Sequence, residues 1–272
     1  MRVSGGTRAG RGHRARGTPC QDSFAVWQSP DGGRAAAAVA DGLGSKPMSQ
    51  HGSRAACDAA VASLAGEADL DEAALVRAFE AARAAVQAAA DERQVPIEEL
   101  ATTLQLATLD RATGRAHAGM VGDGAVVGSR GVAGPAEAAG PVQVLVAPGT
   151  TGYANEVTPV TDSHWREDLQ VASLDGARSV LLFTDGLTRL LLAKSRPGWL
   201  PFSPFFQAFL PKVESSSFDE RLVAAFLAGD DVDRSWDDDK CLVVLALGPE
   251  DTEPEPDIRR HAVAEPLEAP RA

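Results

Sequence analysis

Short apolar runs separated by turn-forming clusters dominate the chain. Residues 24–28 and 35–40 flank SPDGGR, where Pro30, Asp31, Gly32 and Gly33 are turn formers, so the spacing predicts a β-hairpin that brings Asp22 near Asp41. The period then changes. Leu75, Phe79, Ala82, Val86 and Ala89 recur at helical spacing within 71–93, Asp71 and Glu72 suit a helix N-terminus, and the Ala-rich stretch 49–64 after Pro47 reads as a second helix. From Thr102 onward the pattern returns to strands: 102–110, 116–121, 125–129, 142–147, 169–173 and 180–184, with 241–247 closing the sheet. Two helices together between strands, rather than one after every strand, argue against a doubly wound sheet. The expected class is α+β, a β-sandwich of two mainly antiparallel sheets flanked by helices.

Three segments fall outside this pattern. Residues 1–18, rich in Gly and Arg, are expected to be irregular apart from a lead into the first strand. Residues 186–236 combine a short Leu-rich segment, the stretch WLPFSPFFQAFLP and a helix over 219–228, and are expected to form a flap or small helical insertion over the site. The stretch 248–272, with Pro249, Pro254, Pro256, Pro266 and Pro270 among many charges, has too little apolar content to fold alone. One domain over 1–247 and a disordered tail over 248–272 follow.

Composition narrows the class of partner. At 272 residues and 44% hydrophobic, the chain can fill one sizeable core. A formal charge of −12 disfavours nucleic acid or an anionic membrane as the main partner. Cys20, Cys57 and Cys241 are odd in number and lack CxxC spacing, so neither a disulfide framework nor a zinc knuckle is indicated. The first eighteen residues carry five arginines but no apolar core of a signal peptide, and no run approaches membrane-spanning length. A soluble, cytoplasmic monomer is expected.

The chemistry is carried by acidic clusters at CQDS (20–23), VADGLGS (39–45), FTDGL (183–187) and DDDK (237–240). Carboxylates gathered from distant strand ends are hard oxygen ligands suited to Mg²⁺ or Mn²⁺, and such sites usually bind phosphate-bearing substrates. A lone Asp-Gly is ordinary turn chemistry, with glycine supplying positive φ. Here order, spacing and flanks agree with one another. With ATTL (101–104), MVGDGAVV (120–127) and DDKCLVV (238–244), the chain from about residue 10 to 247 resembles the metal-dependent PP2C-type (PPM) Ser/Thr protein phosphatases, and GRGHRARGTPCQDS resembles a bacterial subgroup with GxxH ahead of a QD pair.

That resemblance implies a set of roles. Asp41 bridges two metals with the Gly42 carbonyl at hand, Asp185 and Asp238 complete one metal's direct ligands, and Asp22 orders metal-bound water. Asp123, in a GDS-type turn, is associated with a third and weaker metal or is a plain turn residue. The register places Asp238 as the ligand and Asp239 as its neighbour. The implied cofactors are two Mn²⁺ or Mg²⁺ ions with a possible third. The implied chemistry is hydrolysis of phosphoserine or phosphothreonine by a water activated between two metals, with catalytic contributions from His13, Asp22 and Asp41, on a phosphorylated protein paired with a Ser/Thr kinase.

The chain departs from the pattern at several positions. Gly17 sits where many members keep a phosphate-binding Arg, with Arg16 one residue out, and Gln21, Leu43, Arg189 and Cys241 replace more usual residues. His13 is a candidate phosphate contact or leaving-group acid, against an exposed loop histidine. His51, His117 and His164 lack ligand spacing and read as helix-surface, strand and loop residues. Cys241 reads as a small buried residue. Two alternatives stay open: a pseudophosphatase that binds a phosphoprotein without turnover, and a phosphatase of the same fold acting on an anti-sigma-antagonist-like regulatory protein.

Overall fold

A computed structural model describes residues 1–131, 141–148, 157–196, 198–215 and 218–248. The tail expected over 248–272 lies outside these residues from position 249 on, and Gly248 is still buried. The chain begins with strand β1 (Arg2–Arg8) and a short helix α1 (Arg11–Arg16), where irregular chain was expected. The strand escapes an apolar-alternation reading because its middle is Gly5-Gly6. A Cβ on Gly5 would lie 2.7 Å from the Phe24 ring, and one on Gly6 would lie 3.3 Å from Leu227. The strand is squeezed between two elements, so small residues serve where large ones would report a core.

The expected hairpin follows as β2 (Ser23–Gln28) and β3 (Arg34–Ala40), then helices α2 (Ser49–Ala65) and α3 (Glu72–Arg93). Asp71 caps α3 by accepting from the Ala74 N–H at 2.9 Å, as the Asp-Glu start suggested. Next come β4 (Leu104–Asp110), β5 (Arg115–Val121), β6 (Ala125–Arg130), β7 (Val142–Val146), β8 (Gln170–Asp175) and β9 (Ala177–Phe183). The chain continues through α4 (Asp185–Leu191), the ribbon β10 (Leu192–Lys194) and β11 (Trp199–Pro201), then α5 (Ser203–Glu214), α6 (Leu222–Leu227) and α7 (Asp230–Ser235). It returns to the sheet as β12 (Lys240–Ala246).

Two five-stranded sheets result, β2-β3-β4-β5-β8 and β1-β12-β9-β6-β7, with antiparallel pairing throughout. The α+β sandwich is therefore as expected. Strand β3 shows why it forms. Ala36, Ala38 and Ala40 pack under α2 and α3 beside Leu64 and Phe79, whereas Ala35, Ala37 and Val39 face the other sheet beside Val180, Leu182 and Val243. Burial on both faces turns an alternating strand into a continuous apolar run.

The described residues of 186–236 form an outer layer rather than a flap. Phe206, Phe209, Leu210 and Val213 of α5, with Val223 and Leu227 of α6, pack on Val127, Leu181, Leu242 and Val244 of the second sheet. Burial of the α5 stripe absorbs the apolar content that had suggested a cover for the site. Among the described residues no helix is long and apolar enough to cross a membrane.

Candidate active site

The hairpin register fixes the first two carboxylates. Ser23 pairs with Ala40, so Asp22 and Asp41 stand next to each other just beyond the paired residues. Asp41 is held on its other side by β4's approach: its N–H donates to Thr103 Oγ1 at 3.0 Å, and its carbonyl accepts from Thr103 N–H at 2.8 Å and Thr102 Oγ1 at 2.9 Å. The ATTL motif thus clamps the Asp41 backbone. Asp22 is buried, and its Oδ2 accepts from Thr184 Oγ1 at 2.8 Å while the same hydroxyl oxygen accepts from Cys241 N–H at 2.9 Å.

The remaining aspartates come from the other sheet's ends. Asp123 lies between β5 and β6, after Gly122 at φ +125. Asp185 opens α4 directly after β9, and Asp238 sits exposed in the loop before β12. The three Asp-Gly steps of the site are not positive-φ turns, since none of Gly42, Gly124 and Gly186 is in that region. Each is glycine because backbone passes close by. A Cβ on Gly42 would lie 2.8 Å from Ser49 and 2.9 Å from the Gln21 carbonyl oxygen, and one on Gly186 would lie 2.0 Å from the Asp239 carbonyl oxygen.

Asp22, Asp41, Asp123, Asp185 and Asp238 form one electrostatic cluster. Burial pushes the carboxyls of Asp22 and Asp41 well above their ordinary range, and neighbouring aspartates push them further. Burial likewise raises Asp123, with Asp238 adding to it, and raises Asp185 to about 7, with Asp123 and Asp238 adding to it. Among the described residues, Asp22 Oδ1 and Asp185 Oδ1 are buried without a hydrogen-bond partner. Among the described residues no three His, Cys, Asp or Glu side chains close on one point at ion-ligand distance. The donor set nevertheless fits hard divalent cations: buried carboxylate oxygens lack partners, and like charges raise one another for want of a counter-charge.

His13 is neither in a loop nor exposed. It lies on α1 with its ring 12% exposed, and Nδ1 is 2.9 Å from both oxygens of Asp239. Asp239, read from sequence as a mere neighbour of Asp238, has a side chain only 2% exposed and also accepts from the Gly10 and Gln21 N–H groups. An acidic triplet gives no sign of which carboxylate turns inward. Thr184 was also missed, because its role depends on β9 and β12 meeting.

Each departure has a local role. Gly17, at φ 69, ends α1 as its C-cap, so the missing Arg coincides with a helix terminus that favours glycine, and Arg16 is exposed. The Gln21 amide donates to Lys46 O at 3.1 Å. Leu43 is half-buried and its N–H donates to Ala101 O at 3.0 Å. Arg189 stacks on Trp236, its guanidinium carbon 3.8 Å from the ring centre. Cys241 is fully buried, and burial pushes its thiol up, against any nucleophilic role. His51 is exposed on α2, His117 is half-buried on β5, and His164 is exposed.

Comparison with known proteins agrees with this architecture. Among solved structures, a bacterial serine phosphatase superposes with a TM-score of 0.59 at 15% identity, covering 90% of this chain and 97% of the other. PppA, a regulatory component of T6SS in Pseudomonas aeruginosa, gives 0.58 at 20% identity, with 90% and 97% covered. RsbX in complex with magnesium gives 0.51 at 13% identity, with 89% and 92% covered. No curated sequence matches the chain. At these identities the structures establish the fold alone, but the family model for protein phosphatase 2C matches residues 9–227, and the chain belongs to that family of protein serine/threonine phosphatases.

Proposed function

We propose that this chain is a metal-dependent protein serine/threonine phosphatase that hydrolyses phosphoserine and phosphothreonine in a regulatory phosphoprotein. The observation that carries this reading is the convergence of Asp22, Asp41, Asp123, Asp185 and Asp238, from both sheets, on a site where burial and neighbouring aspartate charges, that of Asp238 among them, raise the carboxyl pKa values of Asp22, Asp41, Asp123 and Asp185. Such a cluster is costly unless cations neutralise it.

Asp41 with the Gly42 backbone, Asp185 and Asp238 are the proposed ligands of two Mn²⁺ or Mg²⁺ ions, and Asp123 the ligand of a further one. When bound, divalent cations supply a water nucleophile at neutral pH and offset phosphoryl charge. The chain's own contribution is positioning. Thr102 and Thr103 hold the Asp41 backbone, and Thr184 fixes Asp22, leaving Oδ1 available to orient a water. His13 is the proposed phosphate or leaving-oxygen contact. A partner Ser/Thr kinase and a cytoplasmic site of action belong to the same proposal. The regulatory description of PppA supports a signalling phosphoprotein as substrate.

The test is phosphate release from a phosphothreonine peptide with Mn²⁺, with Mg²⁺ and with EDTA. Turnover should require the cation and should fall by orders of magnitude in Asp41→Asn, because an amide cannot hold two cations together. Cation-independent turnover, or a near-normal rate in Asp41→Asn, would refute the metal-dependent reading.

A further inference from the structure

Asp239 ties the N-terminal segment to the loop that carries Asp238. Oδ1 accepts from Gly10 N–H at 2.6 Å, Oδ2 accepts from Gln21 N–H at 2.6 Å, and His13 Nδ1 lies 2.9 Å from each oxygen. The contact is tight elsewhere too: a Cβ on Gly10 would lie 2.1 Å from the Asp237 carbonyl oxygen. One residue after Gln21 comes Asp22, and one before Asp239 comes Asp238. The Asp239 carboxylate therefore sets the spacing between the two sides of the site.

It also settles the chemistry of the imidazole. A carboxylate only accepts, and a backbone N–H only donates, so the third group against Asp239 must be a donor as well. Nδ1 of His13 accordingly carries a proton, and Nε2 is the only ring nitrogen left for substrate. We propose that Asp239 is a positioning residue for hydrolysis, fixing His13 as the Nδ1–H form and presenting Nε2 to the phosphoester. This rests on the hydrolytic reading above. In the reaction a water oxygen bonds to phosphorus as the ester P–O bond breaks. The electron pair of that bond goes to the serine or threonine oxygen, which takes a proton from Nε2 of the doubly protonated ring. The proton lost by the water restores the ring, and inorganic phosphate and the free hydroxyl leave.

The first measurement is ¹⁵N NMR of the imidazoles in metal-free protein, with His13 assigned by the signals lost in His13→Ala. The neutral ring should be the Nδ1–H tautomer, and a Nε2–H tautomer would overturn the proposal without any need for an Asp239 variant to fold. The second is turnover by Asp239→Asn on a phosphopeptide and on an aryl phosphate, whose better leaving group needs less protonation. Loss on the peptide should exceed loss on the aryl ester by about 10-fold, and this excess should vanish in a His13→Ala background. Equal losses on the two substrates, or an excess that persists without His13, overturn the positioning role. A wild type that turns over neither substrate overturns the hydrolytic reading itself, whereas the Nε2–H tautomer in an active enzyme overturns only the positioning role.

Discussion

Replacing Asp185 with asparagine should stabilise the metal-free protein, although the residue is a proposed ligand. Burial, with Asp123 and Asp238 adding to it, raises its carboxyl from an ordinary 3.8 to about 7. The folded chain therefore binds a proton that the unfolded chain has lost between those values, and stability contributed through this group falls as pH rises through the window. About three pH units at about 1.4 kcal/mol each set a ceiling of about 4 kcal/mol, which partial exposure and solvent screening reduce to roughly 1–2 kcal/mol. For a domain of this size that is roughly 2–6 °C in melting temperature. Thermal melts in EDTA should show the advantage of Asp185→Asn growing between about pH 4 and pH 7 and levelling above it. Adding Mn²⁺ at pH 8 should raise the wild type more than the variant. A variant that melts below the wild type in EDTA at pH 8, or an advantage independent of pH, would refute the electrostatic account of the cluster.

Asp238→Ala and Asp239→Ala should both impair turnover, by separable routes. The first should weaken Mn²⁺ binding in a titration with little change in the metal-free melting temperature. The second strands the Gly10 and Gln21 N–H groups and His13 Nδ1, at about 1–3 kcal/mol for each buried unpaired donor, and should lower the metal-free melting temperature by roughly 10 °C. Gly186→Ala places a methyl 2.0 Å from the Asp239 carbonyl oxygen, so calorimetry should show a loss of about 1–3 kcal/mol or more, together with weakened Mn²⁺ binding as the loop shifts. Phe79→Ala empties a fully buried site stacked on Trp165 at 5.8 Å between ring centres, and chemical denaturation should record a loss of about 3–5 kcal/mol with metal affinity unchanged.

Much of the site was legible because strand ends carry their own punctuation. An apolar run that stops at Asp-Gly places its carboxylate without reference to partners, so Asp41 and Asp185 could be read directly, and the hairpin turn set Asp22, just ahead of its first strand, beside Asp41. Helices α2 and α3 were legible for the same local reason, since a 3.6-residue period and an Asp71 cap need nothing distant. Local signals failed where the partner was far away in sequence. Gly5 and Gly6 look like loop residues, and only Phe24 on one side and α6 on the other explain why a strand there must be small. The α5 stripe looked like a flap until the outer face of the second sheet claimed it. Asp237, Asp238 and Asp239 are chemically identical in sequence, and packing separates them. Burial costs a carboxylate its hydration, so the one that turns inward is the one met by donors, and those donors arrive from residues more than two hundred positions earlier. Sequence determined which residue types and strand ends could build an acidic site, whereas the tertiary structure alone decided which carboxylates face one another and which one holds His13, because desolvation and hydrogen bonding act between atoms that only folding brings together.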